Sequence, residues 1–80
     1  MPIVYIYVRE YCDLCAKMLA DVVPMQSKFG FELVVVDIDE DDVLESRYAQ
    51  LIPVAEYQNK VLFYYHMDSR ALDAAFGAIG

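Results

Sequence analysis

Eighty residues are enough for one domain, taken here as residues 1–80, and a chain this short buries only about 60–65% of the surface it exposes when unfolded. With 59% hydrophobic and 14% aromatic residues, the composition is globular and excludes a disordered chain. Thirteen acidic residues against six lysines and arginines leave a formal charge of −7, which repels phosphate backbones and anionic lipid and argues against nucleic-acid or membrane partners.

Met1-Pro2-Ile3 runs directly into a strand pattern, without the basic start and small-residue cleavage site of a secretory signal. No apolar run approaches the roughly 20 residues that span a bilayer, so a cytoplasmic location is the expectation. Ile3 to Val8 are β-branched and aromatic throughout and predict a central strand buried on both faces. Arg9-Glu10-Tyr11 forms a loop. From Cys12 the pattern turns helical, with Cys15, Met18, Leu19, Val22 and Val23 on one apolar stripe. Pro24 removes the hydrogen bond to the carbonyl of Ala20, so the helix must kink or restart there. Gly30 suits its C-terminal cap.

Glu32 to Ile38 predict a second buried strand. Asp39-Glu40-Asp41-Asp42 then opens a short helix through Val43, Leu44, Arg47 and Tyr48. Carboxylates in a first helical turn gain up to about 1 kcal/mol each from the helix dipole. EF-hand spacing is absent, so the acidic run reads as a helix start rather than a metal site. Pro53–Tyr57 and Val61–Tyr65 predict two strands joined as an antiparallel hairpin through Gln58-Asn59-Lys60. Asp68 or Ser69 caps a last helix whose inner side carries Leu72, Ala75, Phe76 and Ile79. The order is β-α-β-α-β-β-α. Strands linked through helices are expected to be parallel, with right-handed crossovers. The hairpin is expected to add an antiparallel edge, giving an α/β fold with a four-stranded mixed sheet and helices on both faces.

The only cysteines are Cys12 and Cys15. A disulfide closing so short a loop constrains the unfolded chain little, so redox or metal chemistry explains the pair better than stapling. Position i, i+3 places both sulfurs on one helix face. At the helix N-terminus, free backbone N–H groups and the dipole favour a thiolate. Cysteines so placed can fall from a pKa of about 8.5 to between about 3.5 and 7.5. Cys12 is therefore the expected nucleophile and Cys15, one turn inside, the resolving thiol. Asp13 opposes the thiolate, and Arg9 is positioned to offset it.

The chain resembles the glutaredoxin-like proteins of the thioredoxin-like superfamily, in particular a small group with a Cys-x-Leu-Cys motif. Four features carry this likeness: the strand–loop–C-x-x-C–helix beginning, Arg9 three residues before Cys12, Ile52-Pro53 opening the third strand, and the closing hairpin and helix. The resemblance implies a thioredoxin-like fold and a thiol–disulfide oxidoreductase acting as a monomer on protein or small-molecule disulfides. It implies no bound cofactor or resident metal. It further implies that Pro53 is cis and faces the cysteines, and that the backbone of Ile52 hydrogen-bonds the substrate. Asp68 matches the family's acidic position, while Arg9 and Tyr11 are placed to meet the substrate. Members of the family carry Gly-Gly before that acid to admit glutathione, whereas here Tyr64-Tyr65-His66-Met67 precedes Asp68. Glutathione thus stands as a co-substrate opposed by bulky residues, with a thioredoxin-type reductase as the other candidate electron source.

Two other functions use the same residues: metal handling through the C-x-x-C pair, and a non-catalytic adaptor that kept the fold. Copper chaperones share the placement of C-x-x-C but end in a strand. Two cysteines also leave a tetrahedral zinc site half filled. His66 is expected to be a surface or packing residue. Tyr5, Tyr7, Tyr57 and Phe63 are expected in the core and on the sheet face.

Overall fold

A computed structural model describes residues 1–77, so Ile79 of the expected inner helix face lies outside the described residues. The elements are β1 (Ile3–Val8), α1 (Asp13–Val22), α2 (Met25–Phe29), β2 (Glu32–Asp37), a 3-10 turn (Ile38–Glu40), α3 (Asp42–Tyr48), β3 (Val54–Tyr57), β4 (Lys60–Tyr64) and α4 (Ser69–Phe76). Together they form the four-stranded mixed sheet of a thioredoxin-like fold, in the order β2-β1-β3-β4.

Two expectations about the sheet are corrected. β1 and β2 are parallel, as helix-linked strands should be, but β3 runs antiparallel to β1 and lies inside the sheet. The reason is length. A six-residue strand advances about 20 Å, whereas the seven-residue α3 advances only about 10 Å. The helix cannot return the chain to the far end, so β3 starts from the edge at which β2 finished. The hairpin therefore contributes an inner strand as well as the edge strand β4. β2, expected to be a buried strand, is instead the other edge, with Glu32 exposed and Val35 48% exposed. Its run of valines is sheltered only in part, because one side has no partner strand.

The local signals acted as physics requires. The first helix stops at Val22, and Pro24 caps a new helix, α2, at a position where its missing N–H is not needed. Gly30 closes α2 at φ 74°, a left-handed conformation that costs a residue without Cβ little. Asp41 accepts the N–H groups of Val43 and Leu44 at the start of α3, and Asp68 accepts that of Arg70 at the start of α4. The hairpin turn holds two residues, Gln58 and Asn59, both left-handed, because Lys60 already pairs with Tyr57 in the ladder.

Side chains alternate across the sheet. Val4, Ile6 and Ala55 meet Met18, Val22, Leu72 and Phe76 on the face covered by α1 and α4. Phe76 is held between Phe31 and Tyr57, with ring centroids 5.4 and 4.8 Å away. Tyr7 and Val54 meet Ile38 and Tyr48 on the face covered by α3. Burying each large aliphatic side chain contributes roughly 1.5–3 kcal/mol. Among the described residues, no helix is long and apolar enough to cross a membrane.

Candidate active site

The carboxyl end of β1 delivers the chain to the edge of the sheet, where Arg9-Glu10-Tyr11 turns it into α1. Tyr11 makes the turn at φ 58°, with its side chain fully exposed. Cys12 follows in extended conformation and caps α1, which starts at Asp13 rather than at the cysteine itself. Its Sγ accepts the backbone N–H of Cys15 at 3.1 Å. The sulfur thus occupies the place of an N-cap oxygen, among the N–H groups that the first turn leaves without helical partners. Cys12 and Cys15 form a disulfide, with Cα atoms 5.2 Å apart. Cys15 is 3% exposed, while Cys12 is half-buried and the more accessible of the two. Asp13 and Leu14, between them, face solvent.

The remaining sequence candidates divide. Ile52-Pro53 is the cis peptide bond expected from the resemblance, and it opens β3 at the sheet edge on which β1 ends. Pro53 is buried and Ile52 half-buried. Neither the N–H nor the C=O of Ile52 is engaged by another described residue. Arg9 does not pair with Asp13. Its Nε donates to Oδ1 of Asp39 at 2.9 Å, and Nη2 lies 4.0 Å from Oε2 of Glu45. Two acids that follow β2, one in the 3-10 turn and one on α3, outcompete the one on α1. Asp68 is exposed and occupied by helix capping. His66 is exposed, as expected.

Two features were not foreseen. Tyr65 adopts φ 66°, a left-handed conformation that side chains rarely take and glycine takes freely. It stays there while its N–H donates to the Pro53 carbonyl at 2.9 Å and its hydroxyl to the Gln50 carbonyl at 2.7 Å. Tyr65 therefore clamps the loop that carries Ile52 and Pro53. The second feature is Glu56, a carboxylate only 8% exposed on β3. Its Oε1 accepts the Tyr7 hydroxyl at 3.1 Å and its Oε2 accepts the Tyr48 hydroxyl. Burial first, and then the hydrogen bond to Glu56 and its charge, push the Tyr7 phenol up to about 12. The Tyr48 phenol is raised mainly for the same reasons. A lone acid within Val54-Ala55-Glu56-Tyr57 was the available signal, since a buried carboxylate demands donors.

Among the described residues, no group of three or more His, Cys, Asp or Glu side chains is arranged to hold a metal ion. The chain matches the glutaredoxin-like domain family over residues 3–77. No curated protein matches it. A protein from Nitrosomonas europaea, solved by NMR in solution, is 34% identical with a TM-score of 0.85, the alignment covering 94% of this chain and 91% of that one. A protein from X. campestris solved by X-ray diffraction is 28% identical with a TM-score of 0.71, covering 94% and 96%. The germline-specific thioredoxin Deadhead from Drosophila melanogaster is 22% identical with a TM-score of 0.62, covering 99% and 81%, a likeness of fold.

Proposed function

The chain belongs to the glutaredoxin-like domain family, and from that premise we propose that it is a thiol–disulfide oxidoreductase in which Cys12 attacks and Cys15 resolves. The single observation behind this reading is the cysteine pair itself. One sulfur, on the more accessible cysteine, caps the first turn of α1, and its partner lies buried one turn behind at bonding distance.

In the reduced state the Cys12 thiolate, favoured by the N–H groups around it, attacks one sulfur of a substrate disulfide. The substrate S–S bond breaks, and the departing thiolate takes a proton from water. Cys15 loses its proton to solvent and attacks Cys12 in the mixed disulfide, releasing the second substrate thiol and leaving Cys12–Cys15 as the disulfide seen in the structure. Two electrons pass from the dithiol to the substrate. An external thiol, either glutathione or the dithiol of a reductase, restores the reduced state. Ile52, with its backbone groups free, and Tyr11, exposed beside Cys12, are the substrate contacts this reading assigns.

Incubation of Cys15→Ser with a disulfide substrate tests it. The expected product is a stable mixed disulfide on Cys12, seen by mass spectrometry, while Cys12→Ser forms none and does not turn over. Equal and slow alkylation of both thiols in the reduced protein would contradict the assignment.

A further inference from the structure

Val8 pairs with Asp37, so β1 and β2 end at one edge of the sheet. The chain continues from that edge into Glu10 and Asp13 after β1, and into Asp39 and Glu40 after β2. β4 ends there too, since Tyr64 and Tyr7 both pair with Val54, and Asp68 follows shortly afterwards. Of the six lysines and arginines, Arg70 follows Asp68 but lines a cleft between α2 and α4 with Lys28, and Arg47 lies over the Tyr48 ring, 5.8 Å from its centre. Lys60 pairs with Tyr57 at the opposite end of the sheet, and Lys17 is held by Asp21 at 3.0 Å. Arg9, the one cation within three residues of Cys12, is turned onto Asp39 and Glu45. One cation, Arg9, therefore stands against four carboxylates on the segments that leave this edge: Glu10 and Asp13, next to Cys12 or one residue from it in sequence, and Asp39 and Glu45, which hold the Arg9 side chain. Flanking Cys12 in sequence, two apolar side chains are presented to solvent, Tyr11 fully and Leu14 at 42%.

We propose that the disulfide this site reduces belongs to a polypeptide segment with lysine or arginine beside its cysteine. The inference rests on the redox reading above and names its substrate class. A cationic flank is drawn to the carboxylates of this edge, while the aliphatic stems of Lys and Arg cover Tyr11 and Leu14. An anionic disulfide such as oxidised glutathione meets like charge at the same place. The chemistry is the exchange already described. Cys12 bonds to one substrate sulfur as the substrate S–S bond breaks, Cys15 displaces the second, and the dithiol gives two electrons to a disulfide that becomes two thiols.

The test is single-turnover kinetics of the pre-reduced protein, freed of reductant. The substrates are disulfide-linked peptides of one length with Lys, Gln or Glu flanking the cysteine, beside cystamine and hydroxyethyl disulfide. Second-order rate constants are read from the thiols released. At about 10 mM salt the Lys peptide should outrun the Glu peptide at least about tenfold, and at about 1 M the two should agree within about twofold, because screening shortens the reach of the field from about 30 to about 3 Å. Combining Glu10→Gln with Asp13→Asn should lower the Lys-to-Glu ratio. The ratio is unaffected by any change these substitutions make in the thiolate itself, since that alters both rates alike. Equal rates at low salt, or a faster Glu peptide, would overturn the charge preference and leave the redox reading standing. Cystamine outrunning the Lys peptide would overturn the polypeptide assignment. Failure to reduce even hydroxyethyl disulfide and the Gln peptide would overturn the redox reading, and this inference with it.

Discussion

Raising the pH should unfold this protein through Tyr7. Its hydroxyl is buried and donates to Glu56, and its phenol is pushed from the ordinary 10.0 to about 12. A group whose folded pKa is raised stabilises the fold in full below its unfolded value, and that contribution is lost as pH climbs through the folded value. The window is therefore about pH 10 to 12. A shift of about two units, at about 1.4 kcal/mol each, sets the loss at about 3 kcal/mol, a large part of the stability of a domain this size. Tyr7→Phe removes the titrating group. It should cost about 1.5–3 kcal/mol at pH 8 through the lost bond to a carboxylate and then show a shallower decline above pH 10. The assay is urea unfolding of the oxidised protein, wild type and variant, at intervals from pH 8 to 11.5. The groups outside this network are common to both proteins, so the difference between the curves reports Tyr7 together with its coupling to Tyr48 through Glu56. Parallel declines in the two proteins would refute the reasoning.

The same network predicts that Glu56→Ala, which leaves the Tyr7 and Tyr48 hydroxyls without their acceptor, destabilises by about 3–5 kcal/mol, while Glu56→Gln, which keeps one accepting oxygen, costs well under half of that in the same urea assay. Tyr65→Phe should lower stability by up to about 1 kcal/mol and quicken amide hydrogen exchange over residues 50–54, because the hydroxyl to Gln50 is one of two ties on that loop. Asp41→Ala and Asp68→Ala should each cost about 1 kcal/mol by removing a helix cap, read as a shift of the unfolding midpoint. Arg9→Gln breaks an exposed ion pair and should change stability by less than about 1 kcal/mol. Because it deepens the negative field beside Cys12, it should raise the preference for Lys-flanked over Glu-flanked disulfides.

What could be read in the chain was what depends on neighbours in sequence. The cysteines at a strand-to-helix boundary, the break at Pro24, the cap at Gly30 and the cap at Asp68 are all set within about four residues, whereas the acidic run read as one first helical turn divides into a 3-10 turn through Glu40 and a cap at Asp41. Misreadings came where distant partners decide. The valines of β2 have the same local apolarity as an inner strand, and only the absence of a second neighbour strand makes them an edge. The direction of β3 depended on whether α3 was long enough to return the chain. Arg9 found Asp39 thirty residues away rather than Asp13 four residues away. Glu56 draws its donors from positions 49 and 8 residues distant: Tyr7 was expected inside, but nothing local marked Tyr48 as its companion or Glu56 as the acceptor between them. At Tyr65, side-chain bulk argued against a tight backbone, and two hydrogen bonds overrode it.

The open side of β2 carries a consequence for the protein in bulk. A strand with unpaired backbone groups and an exposed Val35 is a template on which another chain can add. What stands in the way is charge: Glu32 and Asp37 bracket the strand, and every copy carries −7 overall. The repulsion between copies vanishes as the net charge falls to zero at the isoelectric point near 4.3. Acid should therefore favour pairing of two copies through their β2 edges while the disulfide is still intact, read as a rise in mass by light scattering.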